Sequence, residues 1–243
     1  MRILDMAIQH AQTARSSLES TLYPKHCLLT GERLVQDPFY APGISDTALL
    51  FHQPAPRPVE IDLLIQKHMG ADDLMITRFD ALWSLSATST IGNAIHAIKY
   101  DGRTDLAVAL GRLLGDHCHR SNADPQSIVC PVPIHLARRR ERGYNQSELI
   151  AFGVCERMGI GLLDRKAIVR TRYTRSQTTK SAADRLSNVH GAFTVKQPEL
   201  IHNARILLID DVLTTGSTLN ACATALVEAG ARRVDVATLC VAV

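Results

Sequence analysis

Arg205-Ile206-Leu207-Leu208-Ile209-Asp210-Asp211-Val212-Leu213-Thr214-Thr215-Gly216-Ser217-Thr218 is the stretch whose reading decides the fold. Four consecutive aliphatic residues bounded by charge have the pattern of a parallel strand buried on both faces. Two adjacent carboxylates sit where that strand is expected to end. A hydroxyl-rich turn follows, and then Leu219, Cys222, Ala223, Leu226 and Val227 recur at the spacing of an amphipathic helix, with Gly230 placed to close it. Strand, turn and helix in that order put the turn at the carboxyl end of a strand, where open α/β sheets bind ligands.

A helix N-terminus presents unpaired N–H groups and the positive end of its dipole to an anion. Gly216 lets the backbone come close, while Thr214, Thr215, Ser217 and Thr218 add hydroxyl donors. No lysine follows the glycine, so this is not the nucleotide-binding loop of Gly, four residues, Gly, Lys and Ser or Thr. Two aspartates ahead of a phosphate-holding turn suit a ligand with both hydroxyls and a phosphate, namely a ribose 5-phosphate.

Outward from this stretch, Ser127, Ile128, Val129 and Cys130 form a second short apolar run, ended by Pro131, Val132 and Pro133. Behind it come Arg138, Arg139, Arg140, Glu141, Arg142, Gly143, Tyr144, Asn145 and Gln146. The arginine fork matches phosphate oxygens, so this loop is a candidate phosphate contact; a solvated basic loop and a nucleic-acid patch are the alternatives. Asn145 is placed to cap a helix through Leu149, Ile150, Val154 and Met158. Between residues 135 and 180 there are eleven Lys and Arg against four Asp and Glu, a local charge of +7 where the whole chain carries +3. The positive charge is therefore gathered just upstream of the phosphate turn.

In chain order, residues 1–20 have the pattern of a short amphipathic helix, and residues 23–58 hold six prolines, which exclude long regular elements. His26, Cys27, Thr30 and His52 invite a metal reading, but a closed zinc site needs four ligands, usually in short-spaced pairs, so zinc is not expected. An apolar helical face recurs over 61–68, and 75–85 reads as a strand or hairpin around Trp83. Two helices follow, one with Ile91, Ala94, Ile95 and Ile98, ending at Tyr100-Asp101-Gly102, the other with Leu106, Ala109, Leu110, Leu113 and Leu114, ending near His117-Cys118-His119. Strands are expected at 160–163, 167–169 and 234–243. The polar, basic, aperiodic run over 171–185 has the character of a lid that excludes water.

The 243 residues, 46% apolar and 21% charged, are ordinary globular composition and allow one large domain with an appendage. None of the six cysteines forms a CxxC pair, so buried reduced thiols are expected. No stretch of 18 uncharged apolar residues occurs and the N-terminus lacks a signal-peptide core, so the expectation is a soluble, cytoplasmic protein without membrane insertion.

Residues 206–218 resemble the phosphoribosyl pyrophosphate (PRPP) motif of the type I phosphoribosyltransferases. Ile98-Lys99-Tyr100-Asp101-Gly102, Arg142-Gly143-Tyr144-Asn145-Gln146, and Gln177 with Arg185, Asn188 and Phe193 are together similar to the ComF family, bacterial phosphoribosyltransferase-like proteins associated with competence for DNA uptake. The resemblance covers residues 80–243. It implies a parallel-sheet α/β type I phosphoribosyltransferase fold over 76–243, with a small appended segment over 1–75. ComF proteins often carry an N-terminal zinc ribbon of two cysteine pairs, of which only Cys27 remains here.

By this resemblance Asp210 and Asp211 hold the ribose hydroxyls, Thr214, Thr215, Gly216, Ser217 and Thr218 wrap the 5-phosphate, and Val212 and Leu213 belong to the same PRPP-binding stretch. Pro133, Arg138, Arg139 and Lys99 complete the expected PRPP contacts, with Arg142 beside Asp210 and Asp211 as the expected catalytic groups. Mg2+ is expected to accompany PRPP, and no protein-held metal site is expected. The implied reaction displaces pyrophosphate from C1 of the ribose with a nitrogen nucleophile. The competing expectation is a single-stranded DNA-binding competence protein that keeps the fold without transfer activity, with Tyr144 or Tyr173 stacking on bases and competence-machinery proteins as partners.

Overall fold

The computed structural model describes residues 25–50, 52–70, 74–121, 123–172 and 191–243. The chain divides into two compact units, the first ending at Phe51 and the second spanning 52–243. The expected N-terminal helix over 1–20 and the lid positions Tyr173, Gln177, Arg185 and Asn188 lie outside the described residues.

The first unit is a set of tight turns with one short helix, α1 (Asp46–Leu50). Isolated bridges join His26 to Arg33 and Ala41 to Ile44. Cys27 is buried, and its sulfur accepts a hydrogen bond from the Ser45 N–H at 3.3 Å. Burial pushes its thiol up. Hydrogen bonds from the Ser45 backbone, the Thr30 side chain and the Thr30 and Leu29 backbones outweigh that, leaving the pKa at about 7. The Asp46 carboxylate accepts from the N–H groups of Phe39 and Tyr40, both at 3.1 Å.

The second unit is built on β1 (Arg78–Leu85), β2 (Ile128–Pro131), β5 (Arg205–Leu213) and β6 (Arg233–Ala242). They form one parallel sheet in the order β1-β6-β5-β2. The inner strands β5 and β6 are buried on both faces, which is why Ile206, Leu207, Leu208 and Ile209 do not alternate with polar residues. A separate antiparallel pair joins β3 (Ile168–Arg170) to β4 (Phe193–Val195).

The helices are α2 (Pro58–Met69), α3 (Ile91–Tyr100), α4 (Thr104–Arg120), α5 (Leu136–Arg142), α6 (Gln146–Met158) and α7 (Ser217–Glu228). Proline at the first position of α2 suits a site whose N–H has no intrahelical partner. Although grouped with the N-terminal segment by sequence, α2 belongs to the second unit and packs on β1. Between β5 and β6, α7 buries Leu219, Cys222, Ala223 and Leu226. Each such leucine contributes roughly 1.5–3 kcal/mol.

Helices α4 and α6 cross at glycine. A Cβ on Gly111 would lie 2.2 Å from the Ile150 carbonyl oxygen, and one on Gly153 would lie 2.2 Å from that of Val108. This close approach fixes two larger assemblies, because α3 leads into α4 and α5 leads into α6. The ends of α3 and α5 are thereby held near one another.

Two expected elements differ. The Arg138–Arg142 stretch, read as a loop, is helical: Ala137, the arginines and Glu141 are good helix formers, the His135 side chain accepts from the Ala137 N–H, and Gly143 at φ 82° stops the helix. The strand expected at 160–163 is reduced to one bridge between Val129 and Leu162, since left-handed Gly159 ends α6 immediately before it. All six cysteines are free thiols, and only Cys155 is partly accessible. Among the described residues, no helix is long and apolar enough to cross a membrane.

Candidate functional site

The site forms at the carboxyl end of β5. Its strand runs four residues further than the hydrophobic run suggests, so Asp210 and Asp211 sit inside the ladder, with Asp210 in register with Thr238 of β6. Successive strand residues face opposite ways, and the two carboxylates accordingly meet different partners. Ser147, in the first turn of α6, donates its hydroxyl to Asp210 Oδ1 at 2.7 Å, and the Asp211 N–H donates to the same oxygen at 3.0 Å. Lys99, in the last turn of α3, places its ammonium 2.7 Å from Asp211 Oδ2.

Burial, followed by the adjacent Asp211 carboxylate, pushes the Asp210 pKa up to about 7. The Ser147 hydroxyl, the Asp211 N–H and the Lys99 ammonium act in the opposite direction without cancelling that rise. Asp210 therefore keeps its proton to a higher pH than a solvated carboxyl would.

Beyond Val212 and Leu213 the chain turns through Thr214, Thr215 and Gly216 into α7. Gly216 has φ 80°, and a Cβ there would also come within 3.1 Å of Ile65 and 3.3 Å of the Met69 sulfur on α2. Both the backbone angle and this backing wall call for glycine. The Thr215 and Ser217 hydroxyls lie 3.0 Å apart, and Thr214 is exposed at the rim. On the flank of the turn the Met75 N–H donates to Asn220 Oδ1 at 2.8 Å.

The turn after β2 is pinned beside this strand. The Val132 N–H donates to the Ile209 carbonyl at 2.9 Å, and the Asn145 amide donates to the Val132 carbonyl at 3.0 Å while its oxygen caps α6 through the Ser147 N–H. Asn145 thus performs the expected capping and also ties the two segments together. Pro133 lies in this turn and lines a small crevice together with Asn145 and Glu148.

The basic residues divide by partner. Arg139 is committed to Glu148 through two hydrogen bonds of 2.8 and 3.0 Å. Arg142 donates to Gln146 Oε1 at 3.0 Å and sits over the Tyr100 ring at 5.0 Å. Arg138 and Arg142 line one cavity with Lys99. The Tyr144 hydroxyl donates to the Ile98 carbonyl, which holds that ring in place. His117 faces Asp80 at 3.5 Å, Cys118 is in the core, and His119 is exposed, so this trio does not converge.

Two contributors escaped the sequence reading. Ser147 looked like an ordinary first-turn residue. Arg170 ends β3, its guanidinium 5.4 Å from the Phe193 ring centroid. Burial lowers its pKa and nearby Arg138 lowers it further, while Asp210 raises it, which places Arg170 within electrostatic reach of the aspartate pair. Its position at the edge of the basic run starting near residue 170 was the available signal.

Residues 156–242 match the phosphoribosyl transferase domain family. The chain is 33% identical over 157 residues to the DNA utilization protein YhgH of Salmonella typhi, covering 63% of this chain and 68% of that protein. It is 36% identical over 154 residues to the protein of the same name from Escherichia coli (strain K12), covering 60% and 65%. It is 36% identical over 114 residues to competence protein F of Haemophilus influenzae, covering 46% and 48%. These matches span about two thirds of the YhgH proteins and about half of the Haemophilus protein.

Proposed function

Because the chain belongs to the ComF family of phosphoribosyltransferase-like proteins, with the parallel α/β architecture of type I phosphoribosyltransferases, we propose that it binds PRPP and transfers the phosphoribosyl group to a nitrogen acceptor. The observation that carries this reading is the joining of two adjacent carboxylates on β5 to a hydroxyl-rich turn that opens α7, within 2.7 Å of an ammonium from α3.

In this reading the ribose hydroxyls donate to Asp210 and Asp211, while the N–H groups and hydroxyls of residues 214–218 hold the 5-phosphate. Transfer forms a bond from the acceptor nitrogen to C1 as the C1–O bond breaks and its electron pair leaves with pyrophosphate. Lys99, Arg138 and Arg142 face the developing negative charge, and the aspartates fix the sugar so that C1 is presented in line. The carboxylates offer the hard oxygen donors that suit Mg2+, a cation commonly held by one or two carboxylates together with substrate phosphates. When bound, Mg2+ supplies charge neutralisation for the departing pyrophosphate.

Calorimetric titration of Mg2+-PRPP into the protein tests the reading, with the Asp210→Asn/Asp211→Asn variant alongside. Saturable binding lost in the variant is the expected result; no heat with the wild-type protein sinks it. A second reading, single-stranded DNA binding along exposed cations such as Arg140, is favoured by the names of the relatives. It predicts binding that weakens steeply with salt and ignores the aspartates.

A further inference from the structure

Both carboxylates of the proposed ribose site are already engaged within the chain. Asp210 Oδ1 accepts from the Ser147 hydroxyl and the Asp211 N–H, and Asp211 Oδ2 faces the Lys99 ammonium at 2.7 Å. These partners differ in how far they can yield. Ser147 is buried in the first turn of α6, its N–H held by the Asn145 cap, so its one-carbon side chain stays where the backbone puts it. Lys99 reaches Asp211 through a flexible four-carbon stem.

The base of that stem is anchored, and its tip has two stations. On one side of Lys99 the Tyr144 hydroxyl donates to the Ile98 carbonyl; on the other the Arg142 guanidinium stands 5.0 Å from the centre of the Tyr100 ring. The end of α3 is thereby held, and the Lys99 side chain is the part left to move. Its first station is Asp211. Its second is a cavity of about 440 Å³ between the ends of α3 and α5, which Lys99 lines with Arg138 and Arg142 and where the proposed reaction places the diphosphate.

Burial decides what moves the ammonium. The Lys99 and Asp211 side chains are 23% and 6% exposed, so separating them without new partners strands charge away from water, which costs far more than at a surface. Ribose hydroxyls can repartner Asp211 but leave the ammonium unmatched. A diphosphate in the cavity repartners the ammonium as well.

We propose that Lys99 is a specificity-determining residue: it occupies Asp211 until a diphosphate draws it into the cavity, so the site takes PRPP and rejects ribose 5-phosphate. This rests on the PRPP reading. Ribose 5-phosphate offers the same phosphate and ribose hydroxyls and lacks only the group that withdraws the lysine. A consequence is that pyrophosphate and ribose 5-phosphate, two anions in adjoining sites, help one another to bind.

Ribose 5-phosphate is titrated into the full chain by ligand-observed NMR, alone and with saturating pyrophosphate, divalent cations being chelated so that no metal bridges the two anions. Wild type and Lys99→Met, which keeps the stem and removes the charge, are compared, and Mg2+-PRPP is titrated separately into both. In wild type, pyrophosphate is expected to tighten ribose 5-phosphate about tenfold, and in Lys99→Met that gain is expected to vanish. Lys99→Met is expected to bind ribose 5-phosphate about tenfold more tightly than wild type and PRPP about tenfold more weakly. A lysine that only contacts phosphate would not produce the first of these changes. Ribose 5-phosphate affinity that is unchanged or lower in folded Lys99→Met overturns the proposal, as does pyrophosphate that leaves it unchanged or weakens it in wild type. Should Lys99→Met not fold, the wild-type pyrophosphate titration decides alone. Either failure beside normal PRPP binding defeats only this inference, whereas wild type that does not bind PRPP defeats the transferase reading and this role with it.

Discussion

The turn at residues 210–218 and the cavity lined by Lys99, Tyr100 and Arg142 lie side by side, yet they are built in opposite ways. The first is contiguous: strand, carboxylates, glycine and helix follow within one stretch of chain. The second is assembled from segments about forty residues apart, brought together by the glycine crossing of α4 and α6. A contiguous site tolerates distant damage, whereas an assembled one inherits the tolerance of its weakest packing contact.

The strongest way to break the comparison is therefore remote from both sites. Gly153→Ala places a methyl 2.2 Å from the Val108 carbonyl oxygen and is expected to cost about 3 kcal/mol, measured as a shift in the denaturation midpoint. Ligands of the cavity should suffer more than phosphate binding at the turn; equal losses would show that the two sites share one scaffold after all. Next, Asp210→Asn with Asp211→Asn is expected to weaken Mg2+-PRPP by about 100-fold, about 2.7 kcal/mol, in the titration described above.

A pH series sharpens the contiguous side. Asp210 holds its proton more tightly in the folded chain, with a pKa of about 7 against an ordinary 3.8. Its contribution therefore lowers stability as pH rises from about 4 to about 7. Asp210→Asn should remove that decline, gaining about 1–2 kcal/mol over wild type at pH 8 and little at pH 4 in urea unfolding. Parallel pH profiles for the two proteins would refute the assignment. The smallest effect concerns Arg139: Arg139→Ala should lower stability by about 1 kcal/mol, because it breaks the pair with Glu148, and should reduce PRPP affinity less than Arg138→Ala.

The same contrast explains what could be read beforehand. Ile206 to Ile209, the two aspartates, Gly216 and the helix from Ser217 declare themselves because neighbours in sequence are neighbours in space. Asn145 was legible as a cap for the same reason. Ser147 and Arg170 were not: a serine in a helix's first turn and an arginine at a strand's end acquire meaning only once α6 and β3 are brought to β5. The helical state of Arg138 to Arg142 was hidden because charge without apolar periodicity reads as loop, although α5 buries none of its residues and needs no apolar face. Arg139 was counted among the phosphate contacts because its commitment to Glu148 crosses the cap between two helices.

The pairing of β1 with β6 carries a consequence for how the chain is made. Arg78 is in register with Asp235, so β1 waits on the ribosome while about 150 further residues are synthesised before its partner exists. At bacterial elongation rates that is a delay of roughly 8–30 s, during which an apolar strand containing Phe79, Ala81 and Trp83 is without its sheet. A nascent chain arrested before residue 233 should expose that strand to chaperones, and one arrested late enough to free β6 from the exit tunnel should not.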